Sequence, residues 1–162
     1  MNEQQYQSVL KWCRTNTTKE KLLTLLCRYS PVGVIIIYLG MILYLSLQHD
    51  PRLIKVLLYP FFALFTITLM RKFYNRPRPA DIYSIEPLIK HHQGESFPSR
   101  HTGSAVIIAF SCLYISLPLG ILCFIIALYV GISRVIAGVH FIKDIAAGAA
   151  VSTVFGILLF IL

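Results

Sequence analysis

Charge is scarce in this sequence. Only 14% of its 162 residues are Asp, Glu, Lys or Arg, against about 25% in ordinary soluble domains. Acids are scarcer still: 7 Asp and Glu face 15 Lys and Arg, for a formal net charge of +8. With 56% apolar residues and a mean hydropathy of +0.68, this poverty of charge argues against a soluble domain, a disordered tail and a fibre. The four cysteines, Cys13, Cys27, Cys112 and Cys123, show neither metal-site nor disulfide-framework spacing. There is no internal repeat and no low-complexity tract. Before Pro31 there is no uninterrupted apolar run followed by a small-residue cleavage site, so the leader does not read as a secretory signal.

What charge there is sits in particular places. Residues 31–70 hold only Asp50, Arg52 and Lys55, and residues 102–162 only Arg134, Lys143 and Asp144. Between them, residues 71–101 carry nine charged groups. Two apolar blocks thus flank a polar insert. A helix needs about 20 apolar residues to cross a bilayer core of roughly 30 Å. Pro31–Leu47, open to extension backward from Pro31, and Leu53–Met70 are two such runs, and the C-terminal block, broken at Pro118-Gly120 and at 138–143, holds three more, near 102–117, 119–137 and 144–162. Runs such as Val32–Leu47 are apolar all round, with no polar face for water. The expected fold is all-α: an integral-membrane bundle of about five transmembrane helices, with a basic leader over 1–30, a transmembrane domain over 31–162 and the insert over 71–101. In the leader, Thr17 and Glu20 match a capping box and predict a helix start near Thr18. Residues 3–13 read equally as a short amphipathic helix, with Tyr6 and Trp12 at the membrane interface, or as a frayed segment.

The span count puts the insert, Ser133-Arg134 and His140–Asp144 on one membrane face. Ionisable groups against an apolar bundle are costly and mark function. Arg71, Arg78, Arg100 and Arg134 gather there with few acids to pair them, and guanidinium forks suit phosphate. Ser99 reads as the N-cap of a helix whose free N–H groups, with Arg100, form an anion site. Two histidines, His101 and His140, divide a phosphoryl transfer well: one attacks phosphorus and the other protonates the leaving oxygen. Asp144 follows His140 by one helical turn and is placed to hold the nucleophile's second nitrogen. This favours His140 as nucleophile and His101 as acid.

These residues resemble the three motifs of the type 2 phosphatidic acid phosphatase superfamily. The first, Lys-x6-Arg-Pro, is met by Arg71, six residues, then Arg78-Pro79; the second by Pro98-Ser99-Arg100-His101; the third, complete, by Ser133-Arg134, five residues, His140, three residues and Asp144. The resemblance covers roughly 31–162 and implies that His140 forms a phosphohistidine, that Asp144 orients it and that His101 is the general acid. It also implies phosphate binding by Arg71, Arg78, Ser99, Arg100 and Arg134, and no metal or other cofactor. Two departures stand out: Arg71 replaces the family's lysine, and Arg100 a frequent glycine.

The expectation is therefore a metal-independent membrane lipid phosphatase acting on a lipid phosphate or diphosphate. The resemblance points first to undecaprenyl diphosphate, and next to phosphatidylglycerophosphate or phosphatidic acid. Its partners are the lipid substrate and the bilayer, not nucleic acid. A small anion transporter is the reading from another class, but it predicts charge spread through the spans. A non-catalytic lipid-binding protein leaves His101, His140 and Asp144 without a role. Relatives that recycle carrier lipids suggest an extracytoplasmic site, whereas the leader's Lys11, Arg14, Lys19, Lys21 and Arg28 argue for the cytoplasmic side. Elsewhere, Arg76 and Lys72 read as lipid-headgroup anchors, Tyr83 and Glu86 as loop or rim, His49 and Asp50 as turn residues, and His91 and His92 as a solvated loop.

Overall fold

A computed structural model describes residues 1–90 and 93–162. His91 and His92 lie outside the described residues. Among the described residues there are seven helices and no strand: α1 (Glu3–Cys13), α2 (Thr17–Leu47), α3 (Arg52–Tyr74), α4 (Pro79–Ile82), α5 (Arg100–Ile115), α6 (Leu117–Ile136) and α7 (Ile142–Ile161). Four stretches, in α2, α3, α6 and α7, are long and apolar enough to cross a membrane. The fifth expected span is α5, at 16 residues, about 24 Å at 1.5 Å per residue. It stands at the centre, packed against α2, α3, α6 and α7. Its Ala105, Ile108, Ala109 and Cys112 join Leu45 of α2, Val56 of α3 and Cys123 and Val130 of α6 in one core. The outer helices turn Ile36, Leu43, Phe61, Ile125 and Leu128 outward, as a chain immersed in lipid does.

The prolines do not end helices here. Pro31, taken from sequence as a span boundary, lies inside α2, which runs unbroken across it. Pro60 lies inside α3 and, having no N–H, leaves the carbonyl of Val56 without its helical donor. The hydroxyl of Tyr38 on α2 donates to that carbonyl at 2.6 Å, so the break becomes a tie between two helices. The start of α2 is also one residue earlier than expected. Asn16, not a threonine, is its cap, accepting from the Thr18 N–H at 2.8 Å. The α5–α6 turn passes through Ser116, which ends one helix and begins the next. A Cβ on Gly120 would lie 2.4 Å from the Leu113 Cα, so only glycine allows this hairpin.

The leader forms a true helix. In α1, Asn2 and Gln5 make a reciprocal capping box, and Tyr6, Leu10 and Cys13 are buried. That face packs against the insert rather than the bilayer. Leu10, Cys13, Cys27, Leu88, Ala137 and Val139 form a second apolar cluster. Polar ties reinforce it: the Glu3 carboxylate accepts from the Ser84 N–H at 3.1 Å, and Arg14 donates to the Glu86 carbonyl at 2.9 Å. Leader and insert thus form a cap over the end of the bundle where α3 and α6 finish and α5 and α7 begin.

Candidate active site

The convergence of helix ends brings the polar residues into one cavity of about 370 Å³. Arg71 comes from the last turn of α3 and Arg134 from the last turn of α6. Arg78 precedes α4, Arg100 and His101 open α5, and His140 precedes α7. All six line the cavity, together with Lys90, Gln93, Gly94 and Glu95 of the insert. Asp144 lies one turn into α7 and wholly buried, behind His140. Ser99 is buried beneath the wall as the cap of α5; its hydroxyl lies 3.1 Å from the Thr102 hydroxyl and accepts from the Thr102 N–H at 3.5 Å.

The cavity is built for an anion. Arg71 donates to the Pro98 carbonyl at 3.2 Å and to Glu95 at 3.4 Å. Arg78 donates to the carbonyls of Gly94 and Val139, at 3.0 and 3.2 Å. These carbonyls fix the forks without neutralising them. Arg134 is 5% exposed, and its Nε has no partner. Among the described lining residues, Glu95 is the one carboxylate opposite four arginines and a lysine. Burial and the neighbouring Arg71 hold Arg78 below its ordinary pKa, a cost that a bound phosphate would offset.

His140 has one ring face in the cavity and one in the protein. Arg78 Nη1 lies 3.4 Å from Nε2. Arginine is only ever a donor, so Nε2 is the acceptor and Nδ1 carries the hydrogen. Nδ1 faces Asp144 Oδ2 at 3.5 Å and the Ser96 hydroxyl at 3.3 Å. Burial, with Arg78 adding to it, pushes the His140 pKa down, against the pull of Asp144. The imidazole is therefore neutral near pH 7, with the lone pair of Nε2 turned toward the arginines.

Three groups around this pair carry no sequence signal that marks them. Ser96, fully buried, donates its hydroxyl to Asp144 Oδ2. Arg76, expected from sequence among the lipid headgroups, instead donates to Asp144 Oδ1 at 3.2 Å. Tyr6, expected at the membrane interface, is fully buried and donates to the carbonyl of His140 at 3.0 Å. Burial raises its own pKa to about 12. With the Phe141 N–H at 2.9 Å, the buried carboxylate has donors on both oxygens, as its desolvation demands.

The sequence model of the PAP2 superfamily matches residues 52–162. The undecaprenyl-diphosphatase BcrC of Bacillus subtilis is 25% identical over 160 residues, spanning 99% of this chain and 83% of that protein. A bacitracin transport permease protein BcrC of Bacillus licheniformis is 36% identical over 81 residues, half of this chain and 40% of its own length. Among solved structures, LpxE of Aquifex aeolicus superposes with a TM-score of 0.78 at 21% identity, over 99% of this chain and 95% of that one. A transmembrane PAP2-type phosphatidylglycerolphosphate phosphatase of Bacillus subtilis superposes with a TM-score of 0.73 at 23% identity, over 98% and 82%. Both are likenesses of fold.

Proposed function

This chain belongs to the PAP2 superfamily of membrane phosphatases, and on that premise we propose that it hydrolyses undecaprenyl diphosphate through a phosphohistidine on His140. The observation that carries the reading is the cavity itself: His140 Nε2 and the forks of Arg71, Arg78, Arg100 and Arg134 share it, with Glu95 as the one opposing carboxylate among the described lining residues. That excess of positive charge suits two linked phosphates better than one. The activity for which the Bacillus subtilis relative is named, a protein matched over 99% of this chain, supports the same substrate.

The chemistry follows in two steps. His140 Nε2 attacks phosphorus as the bond to the leaving oxygen breaks, and His101, which takes up a proton once the phosphate charge is seated beside it, gives that oxygen its proton. The arginines hold the charge of the equatorial oxygens throughout. Water then attacks the phosphohistidine and gives a proton back to His101. The P–N bond breaks, and inorganic phosphate leaves with His140 again neutral. Asp144 stabilises the ring while it carries phosphorus and positive charge.

The active-site face is proposed as extracytoplasmic. The leader's basic residues argue otherwise, but Arg14 is engaged with Glu20 and Glu86, and Lys19 sits over the Trp12 ring at 3.1 Å. Those charges are partly spent within the fold. The central test uses purified protein in detergent with EDTA. Undecaprenyl diphosphate should release phosphate with a higher kcat/KM than phosphatidic acid, and His140→Ala should abolish release. Undiminished release by that variant would overturn the mechanism, and a preference for phosphatidic acid would overturn the substrate.

A further inference from the structure

Between His140 and Asp144 stands a third side chain. The direct Nδ1 to Oδ2 separation is 3.5 Å, at the outer limit of a hydrogen bond. The Ser96 hydroxyl oxygen is nearer to Nδ1, at 3.3 Å, and donates to Oδ2. A serine hydroxyl has one hydrogen and two lone pairs. Its hydrogen is committed to a carboxylate, which only accepts. Its lone pairs are therefore what faces Nδ1, and Nδ1 carries a hydrogen because Arg78 occupies Nε2 as a donor. The polar chain runs from His140 Nδ1–H to the Ser96 hydroxyl and on to Asp144.

The insert holds this serine in place. Its backbone N–H donates to the Arg76 carbonyl at 2.8 Å, and the Arg76 guanidinium takes the other oxygen of Asp144 at 3.2 Å. Ser96 and Arg76 thus grip the carboxylate from two paired segments of the insert, and the Phe141 N–H binds it from the cap of α7 at 2.9 Å.

We propose that Ser96 is a positioning residue of this site, relaying the hold of Asp144 to Nδ1 of His140 and so fixing the ring with Nε2 toward the cavity. The proposal rests on the phosphatase reading above. As the bond from Nε2 to phosphorus forms and the ester or anhydride P–O bond breaks, the leaving oxygen takes its proton from His101. The ring becomes cationic, and the polarised hydroxyl answers that charge at Nδ1. Ser96 is fully buried and does not line the cavity, so it acts on turnover and not on substrate grip.

The experiment compares wild type, Ser96→Ala and His140→Ala in one phosphate-release assay on a lipid diphosphate, with inorganic phosphate as competitive inhibitor and thermal unfolding of each. For Ser96→Ala, kcat should fall at least tenfold, with KM, the phosphate inhibition constant and Tm near wild type. A kcat within twofold of wild type overturns the proposal, and so does a loss that appears in KM or in phosphate affinity. If Ser96→Ala is not recovered folded, Ser96→Cys carries the same test, since a thiol nearly keeps the volume but is a poor acceptor. It should show the same split, and wild-type turnover overturns the proposal. His140→Ala separates the two ideas: persistent release there sinks the phosphohistidine reading, whatever Ser96 does.

Discussion

Gly148 of α7 touches no substrate, yet its replacement by alanine should disable the site. The residue lies one turn beyond Asp144, where α5 begins against α7. A Cβ there would lie 2.5 Å from the Ser99 carbonyl oxygen and 3.3 Å from the Ser99 nitrogen. The obstruction is backbone and cannot rotate away. Ser99 N–H also donates to the Asp144 carbonyl at 2.9 Å, so the two helices are pinned at this point. Ordinary contact begins at 3.4 Å, so the first turn of α5 must retreat by about 1 Å, and a misplacement of that size near reacting groups costs about a hundredfold in rate. Arg100 and His101 ride on that turn, whereas His140 and Asp144 stay with α7. The acid should thus be pulled away from the nucleophile. Overpacking costs about 1–3 kcal/mol, partly offset by the gain of about 1 kcal/mol when alanine replaces helical glycine. The expected signature of Gly148→Ala is a kcat/KM lowered about a hundredfold, with a Tm shifted by only a few degrees. Gly40→Ala, where a Cβ meets nothing within 4 Å, should be silent in the same assay. A Gly148→Ala enzyme within twofold of wild type would refute the idea that the α5–α7 contact sets the distance between the two histidines.

Two further outcomes follow. Because burial and Arg78 lower the His140 pKa, the neutral nucleophile persists into mild acid, and the acid limb of kcat/KM should lie below the ordinary histidine value of about 6.5. Arg78→Met should move it upward; a wild-type limb above that value contradicts the assignment. For orientation, the four native cysteines are all buried and leave a clean background, so Lys21→Cys on the exposed start of α2 should react with a membrane-impermeant maleimide in intact cells. Reaction only after the cells are opened would place the site on the cytoplasmic side.

Helix ends were legible because a bilayer makes charge expensive. Arg71, Arg134 and Asp144 can stand only where spans finish or start, so the charge map alone predicts their convergence. The third motif, with its intervals of five and three, carries His140 and Asp144 to the root of one helix for the same reason. The backward extension of the first span past Pro31 was open from sequence, and α2 takes it because a backbone in lipid has no partner but the helix itself. The short α5 was legible as an apolar helix but not as the centre, since apolarity reports immersion and not which neighbours surround a helix. Ser96, Arg76 and Tyr6 left no trace of their positions. Arg76 and Ser96 reach Asp144 from irregular chain and Tyr6 reaches His140 from a separate helix, and neither period nor spacing encodes where such segments dock.

The tyrosine of α1 sets a clock on biosynthesis. The carbonyl that Tyr6 supports belongs to His140, 134 positions later in the chain. At about 5–20 residues per second, the first helix waits on the order of ten seconds before its partner exists. Throughout that interval its apolar face must be sheltered by something other than its final seat, and the amphipathic pattern of α1 suits it to rest on the membrane surface. The nucleophile's loop is therefore completed by an earlier segment returning to one made much later, so maturation of the site is an event of late closure and not of local folding.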